Sequence, residues 1–104
     1  MQQAAFWDDD RTIEEAFRDF HARNPGVLRE LVAMTRRAKE RGRTKIGMGM
    51  LFEVLRWNRI VEGLPDETED FKLNNNYRSR YARMVMHRYP DLDGMFDLRR
   101  IRTP

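Results

Sequence analysis

The chain has 104 residues, of which 40% are hydrophobic, 11% aromatic and 36% charged. That length suits one small domain with one core, and the recurrence of apolar and aromatic residues argues against intrinsic disorder. The net charge of +3 is unevenly spread: residues 1–25 sum to −3, 26–60 to +6, 61–74 to −4 and 75–104 to +4. Without cysteine, a disulfide framework, a thiolate nucleophile and a Cys-based zinc site are all excluded. No apolar run reaches the length of a membrane span, and no basic segment followed by an apolar one opens the chain. The expected compartment is the cytoplasm, with no membrane partner.

Residues 1–11 read as a flexible acidic arm carrying Asp8, Asp9 and Asp10, and residues 12–104 as a single helical domain. Thr12-Ile-Glu-Glu15 has the form of a capping box, and Ile13, Ala16, Phe17 and Phe20 follow on one face, which predicts a helix to about Arg23. Asn24 suits the N-cap of a second helix and Pro25 its first position. Val27, Leu28, Leu31, Val32, Met34 and Ala38 make its apolar stripe, and Gly42 is the expected C′ residue. Thr44 is expected to cap a third helix, Lys45 to Val61, that is apolar almost all round. Such a helix is either central and buried or a surface for a partner, with Phe52 and Trp57 as hot-spot candidates. An acidic loop follows over 63–70, then a short extended piece at Phe71 to Leu73, and a fourth helix from the asparagines to Pro90. The sum is an all-α fold of about four helices, with a possible helix-turn-helix layout and a short extended element at the C-terminus.

The stretch FKLNNNYRSRYARMVM carries the functional question, because three asparagines are poor helix formers and three arginines follow at helical spacing. On a helix, Tyr77, Tyr81, Met84, Val85 and the stem of Arg88 form one stripe. Asn76, Ser79, Arg80, Arg83 and His87 lie opposite. One account is structural: an asparagine caps the helix, and the arginines are solvated on an exposed face. The other is a reading helix. Asn76, Arg80 and Arg83 would face base edges, Arg78 and His87 would lie nearer the backbone, and Asn74 and Asn75 would hold phosphate through their amides. A second basic run, Arg36, Arg37, Lys39, Arg41, Arg43 and Lys45, suits phosphate better than bases. It too has a plain explanation, since cations favour a helix C-terminus and Arg36 stands four residues before Glu40.

Catalytic chemistry finds little support. His21 and His87 are the only histidines, and His21 borders an apolar stripe as a packed imidazole would. Asp66, Glu69, Asp70 and Lys72 are compressed into one loop, unlike the splayed ligands of a metal-dependent nuclease. Asp91-Leu-Asp93-Gly lacks the later ligands of a calcium loop. Gly47 and Gly49 lack the partners of a phosphate loop. No enzyme, cofactor or metal is expected.

The segments KIGMGMLFEVLRWN, FKLNNNYRSRYARMVM and PDLDGMFDLRR together resemble a group of small proteins of bacteriophages and prophages that has no established activity. The resemblance covers about residues 15–102 and is most specific at Asn74, Asn75, Asn76, Tyr77, Tyr81, Ala82 and Arg83. It implies a phage-type accessory protein in the cytoplasm of a bacterial host, and it transfers no functional residue. The expectation is therefore a non-enzymatic nucleic-acid-binding protein. The alternative is a module or inhibitor that uses the same arginines against an acidic host protein, with the third helix in a homodimer contact.

Overall fold

The computed structural model describes residues 12–62 and 72–98. The expected arm at 1–11, the acidic loop at 63–70, Phe71 and the end of the chain from residue 99 lie outside the described residues. Four α-helices form the fold: α1 (Ile13–Arg23), α2 (Pro25–Glu40), α3 (Met48–Glu62) and α4 (Arg78–Arg88). Single 3-10 turns stand at Asn75–Tyr77 and Pro90–Leu92, and no strand occurs among the described residues.

Local chemistry sets most of the boundaries. Thr12 and Glu15 close the expected capping box, with Glu15 N–H donating to the Thr12 hydroxyl at 3.1 Å and Thr12 N–H to the Glu15 carboxylate at 3.0 Å. At the end of α2 the chain reverses through Gly42, whose φ of +95° places it in the left-handed region. Gly42 N–H donates to Lys39 O and Arg43 N–H to Ala38 O, the bond pair of a Schellman motif.

Two boundaries differ from expectation. Asn24 makes no side-chain cap to α2; its amide Nδ2 instead donates at 3.0 Å to Phe20 O, which also accepts the Asn24 main-chain N–H at 2.9 Å, so Asn24 closes the end of α1. Thr44 and Lys45 do not start α3, which begins at Met48. Residues 44–47 run alongside the C-terminal segment, where Ile46 N–H donates to Met95 O at 2.8 Å and Lys45 Nζ to Asp97 at 2.7 Å. Long-range bonding thus replaces the first helical turn that local propensity favoured. The seven-residue connection between α2 and α3 is also longer than the turn of a helix-turn-helix.

The core joins all four helices through Phe17, Leu31, Phe52, Leu55, Tyr81, Val85 and Leu92, among others. Tyr81 is fully buried and receives the edge of Phe17 at 4.8 Å and Phe52 at 6.1 Å between centroids. His21 is the packed imidazole expected: it stacks on Phe17 and meets Tyr81 edge-on, with its Nδ1 3.5 Å from the phenol oxygen. Burial, and then the charge of Arg88, hold its pKa below the ordinary value of 6.5. The unfolded chain therefore binds a proton at His21 more readily than the folded one. The stabilising effect is complete above about pH 6.5 and is lost as pH falls through the lowered folded value. Denaturation midpoints taken from pH 7.5 downward should fall more steeply for the native chain than for His21→Phe. Parallel curves would show that the imidazole titrates as freely folded as unfolded.

Candidate nucleic-acid interface

The three asparagines work mainly as a junction between α3 and α4. Asn74 caps the 3-10 turn, its side-chain oxygen accepting Asn76 N–H at 2.7 Å. The Asn75 side-chain oxygen accepts from Arg56 at 2.6 Å, and its main-chain oxygen accepts from Arg78 Nε at 3.2 Å. The Asn76 main-chain oxygen accepts Arg80 at 3.4 Å. The oxygens of Asn74 and Asn75 are therefore committed within the fold, while their exposed side-chain NH2 groups, the donors a phosphate would need, take no part in these bonds. Asn76 is exposed, and its side chain has no partner among the described residues.

Arg56, a polar residue on the otherwise apolar α3, organises this junction. Its guanidinium donates to Leu73 O at 2.7 Å, Asn75 at 2.6 Å and Glu53 at 2.9 Å, and lies 5.8 Å from the Phe52 ring centroid. Arg56→Ala should cost about 1–2 kcal/mol, the low end for bonds to a charged group because the site keeps some water contact. Lysine there should restore little, since an ammonium cannot span the same fork of acceptors. A thermal melt checks both, and an unchanged midpoint for Arg56→Ala would mean that 72–75 is held by other contacts.

Several expected ligands of nucleic acid are likewise spent on the fold. Arg36 forms a two-point ion pair with Asp91, at 3.1 and 3.2 Å, and its guanidinium lies 5.2 Å from the Tyr89 ring centroid. This long-range pair, rather than Glu40, is its partner; it holds the Asp91 carboxyl below its usual range and raises Arg36. Lys39 donates to the Asp91 carbonyl, and Lys45 is tied to Asp97. Asp91 is thus a docking point for α2, and among the described residues no group of three or more acidic or histidine side chains is placed to hold a metal ion. The guanidinium of Arg78 lies against Gly49, 3.1 Å from where a β-carbon would stand. Arg80 is half-buried and pairs with Glu14 at 2.9 Å, tying α4 to α1 and holding the Glu14 carboxyl below its usual range. Arg80 is therefore not the free base-facing side chain the helical wheel suggested.

What remains free falls into two groups. At the C-terminal end of α2 and the following turn, Arg37, Arg41 and Arg43 are exposed without side-chain partners among the described residues. On α4, Arg83, His87 and Arg88 join Arg80 along a groove of about 370 Å³ against α1, which Phe17, Met84 and Glu14 complete. Arg83, His87 and Arg88 are exposed and have no hydrogen-bond or ion-pair partner among the described residues. Glu14, the groove's one carboxylate, is already held by Arg80 and Arg18. The helical period does bring Arg80, Arg83 and His87 onto one wall. Arg88 was expected on the buried stripe by its stem, yet it is exposed at the end of α4 and lines the same groove.

The remaining expectations concern α3. Phe52 is fully buried, so it is no hot spot, whereas Trp57 is 63% exposed. The exposed side of α3 carries Met50, Val54, Trp57, Ile60 and Val61 with the carboxylates of Glu53 and Glu62, and suits neither base edges nor phosphate. No described helix is long and apolar enough to cross a membrane. In comparison with known proteins, the chain matches no family model, no curated protein and no solved structure.

Proposed function

We propose that this protein is a small non-enzymatic accessory protein that binds nucleic acid through the α1–α4 groove. The observation that carries the reading is the pairing pattern among the described residues: Arg83, His87 and Arg88 have no hydrogen-bond or ion-pair partner in one groove, while Glu14, the carboxylate that lines it, is held by Arg80 and Arg18. Guanidinium groups at an open, partly apolar groove suit phosphate oxygens by two-point bonding and bases by stacking. Arg37, Arg41 and Arg43 add a second free basic group suited to backbone contact. Arg36, Lys39, Lys45 and Arg80 contribute indirectly, by fixing the helices that carry the free cations. The resemblance of residues 71–86 to phage and prophage proteins supports a phage-type setting in the cytoplasm of a bacterial host.

The test is fluorescence anisotropy with a random-sequence DNA duplex, titrated at several salt concentrations. Binding through Z phosphate contacts should give a log–log salt slope of about −0.9Z. An absence of binding even at low salt would sink the reading, and the same arginines would then be matched to an acidic protein surface.

A further inference from the structure

The exposed face of α3 is the least expected surface of a chain this rich in charge. Met50, Val54, Trp57, Ile60 and Val61 are 55%, 37%, 63%, 73% and 59% exposed, while Met48, Leu51, Phe52 and Leu55 fill the opposite, buried side. Scattered single apolar residues on a surface are ordinary, but five along one helix form a stripe. Its order is specific. Met50, Val54, Trp57 and Val61 follow one another at steps of four, three and four, the spacing of a helix–helix seam.

We propose that this stripe is a dimer interface and that its occupant is α3 of a second copy of this chain, packed antiparallel across a two-fold axis. The spacing argues for a self-contact, because steps of four, three and four read the same in both directions. Along the central seam a reversed copy therefore meets apolar with apolar: Met50 with Val61 of the other copy, and Val54 with Trp57, each contact made twice as a two-fold requires, while the exposed Glu53 stands at the rim, paired with Arg56. The sizes fit as well, since the bulky indole lies over the small valine on both sides of the axis. A parallel pairing would set the two Trp57 rings against one another and leave the valines unfilled. The four seam residues, with Ile60 at the edge, expose on the order of 500 Å² per copy, so a pair would bury at most about the 1,000 Å² at which specific interfaces begin. That area is below the range of obligate dimers, so association should depend on concentration.

The experiment is sedimentation equilibrium of the full chain over a concentration series, paired with site-directed cross-linking. The native chain should pass from monomer to dimer as concentration rises, and Trp57→Glu should weaken association at least about 30-fold, as loss of a hot-spot residue does. Far-UV circular dichroism confirms that the variant is folded, which the exposure of Trp57 favours. Because the chain has no cysteine, Met50→Cys and Val61→Cys each introduce a single thiol. In the antiparallel pair, identical positions at residue 50 lie about 16 Å apart along the helices, since eleven residues separate 50 from 61. A short thiol cross-linker should therefore join the two variants when they are mixed, but neither variant with itself. A native chain that stays monomeric at every concentration would overturn the proposal, as would cross-linking of each variant to itself in preference to the mixture.

Discussion

Truncating Tyr81 to alanine should destabilise the fold by roughly 3–5 kcal/mol, the cost of deleting a buried aromatic ring. Tyr81 is fully buried and contacts Phe17 of α1 and Phe52 of α3 by ring edges, with the imidazole of His21 at its rim. Burial and the neighbouring Tyr77 push its phenol pKa far above the ordinary value, so the ring stays neutral under all usual conditions. A small domain has only about 5–15 kcal/mol of stability in total, so this one truncation should remove a large part of it. Urea denaturation followed by circular dichroism reads the loss as a fall in midpoint at constant slope. Tyr81→Phe separates the ring from its hydroxyl. The hydroxyl lies 3.5 Å from His21 Nδ1, at the limit of a hydrogen bond, so that variant should lose under about 1 kcal/mol. A Tyr81→Ala protein within about 1 kcal/mol of the native chain would contradict the packing of α4 between α1 and α3.

The elements that position Tyr81 were legible because their signals are local. Thr12 and Glu15 are three residues apart, Pro25 needs no partner for its missing amide, and Gly42 is chosen for a left-handed turn that its own helix requires. The stripe of Tyr77, Tyr81 and Val85 follows from the helical period alone. What sequence reading missed is non-local. Arg36 reaches Asp91 across 55 positions, Arg80 reaches Glu14 across 66, and Arg56 reaches Asn75 across 19. An arginine on a helical wheel looks the same whether it points to water or to a carboxylate of another helix. Only the tertiary arrangement decides which, and here it engaged Arg36, Arg56 and Arg80 while leaving Arg83 and Arg88 without a partner among the described residues. The same limit applies to α3, whose apolar residues surround the helix. Their pattern could not say that Phe52 faces the core and Trp57 the solvent, because that choice depends on where α2 and α4 pack.

That division between committed and free arginines makes the binding surface separable from the fold by mutation. The Arg83→Ala, Arg88→Ala double variant should bind duplex DNA on the order of 10–100-fold more weakly at low salt, with each lost phosphate contact flattening the salt slope by about 0.9. Its thermal midpoint should match the native chain, because neither guanidinium has a hydrogen-bond or ion-pair partner among the described residues. Arg80→Ala should behave differently. It breaks the contact with Glu14, so the thermal midpoint falls, and any loss of binding accompanies a looser α1–α4 groove. Glu14→Gln distinguishes the two effects: it weakens the same helix contact yet removes the groove's one negative charge, so a nucleic-acid site should bind more tightly despite the lower midpoint. Unchanged DNA binding and salt slope in the Arg83→Ala, Arg88→Ala protein would move the interface away from the groove. Arg37, Arg41 and Arg43 would then be the next to replace, and a native-like slope there as well would leave neither of the two basic groups to hold a duplex.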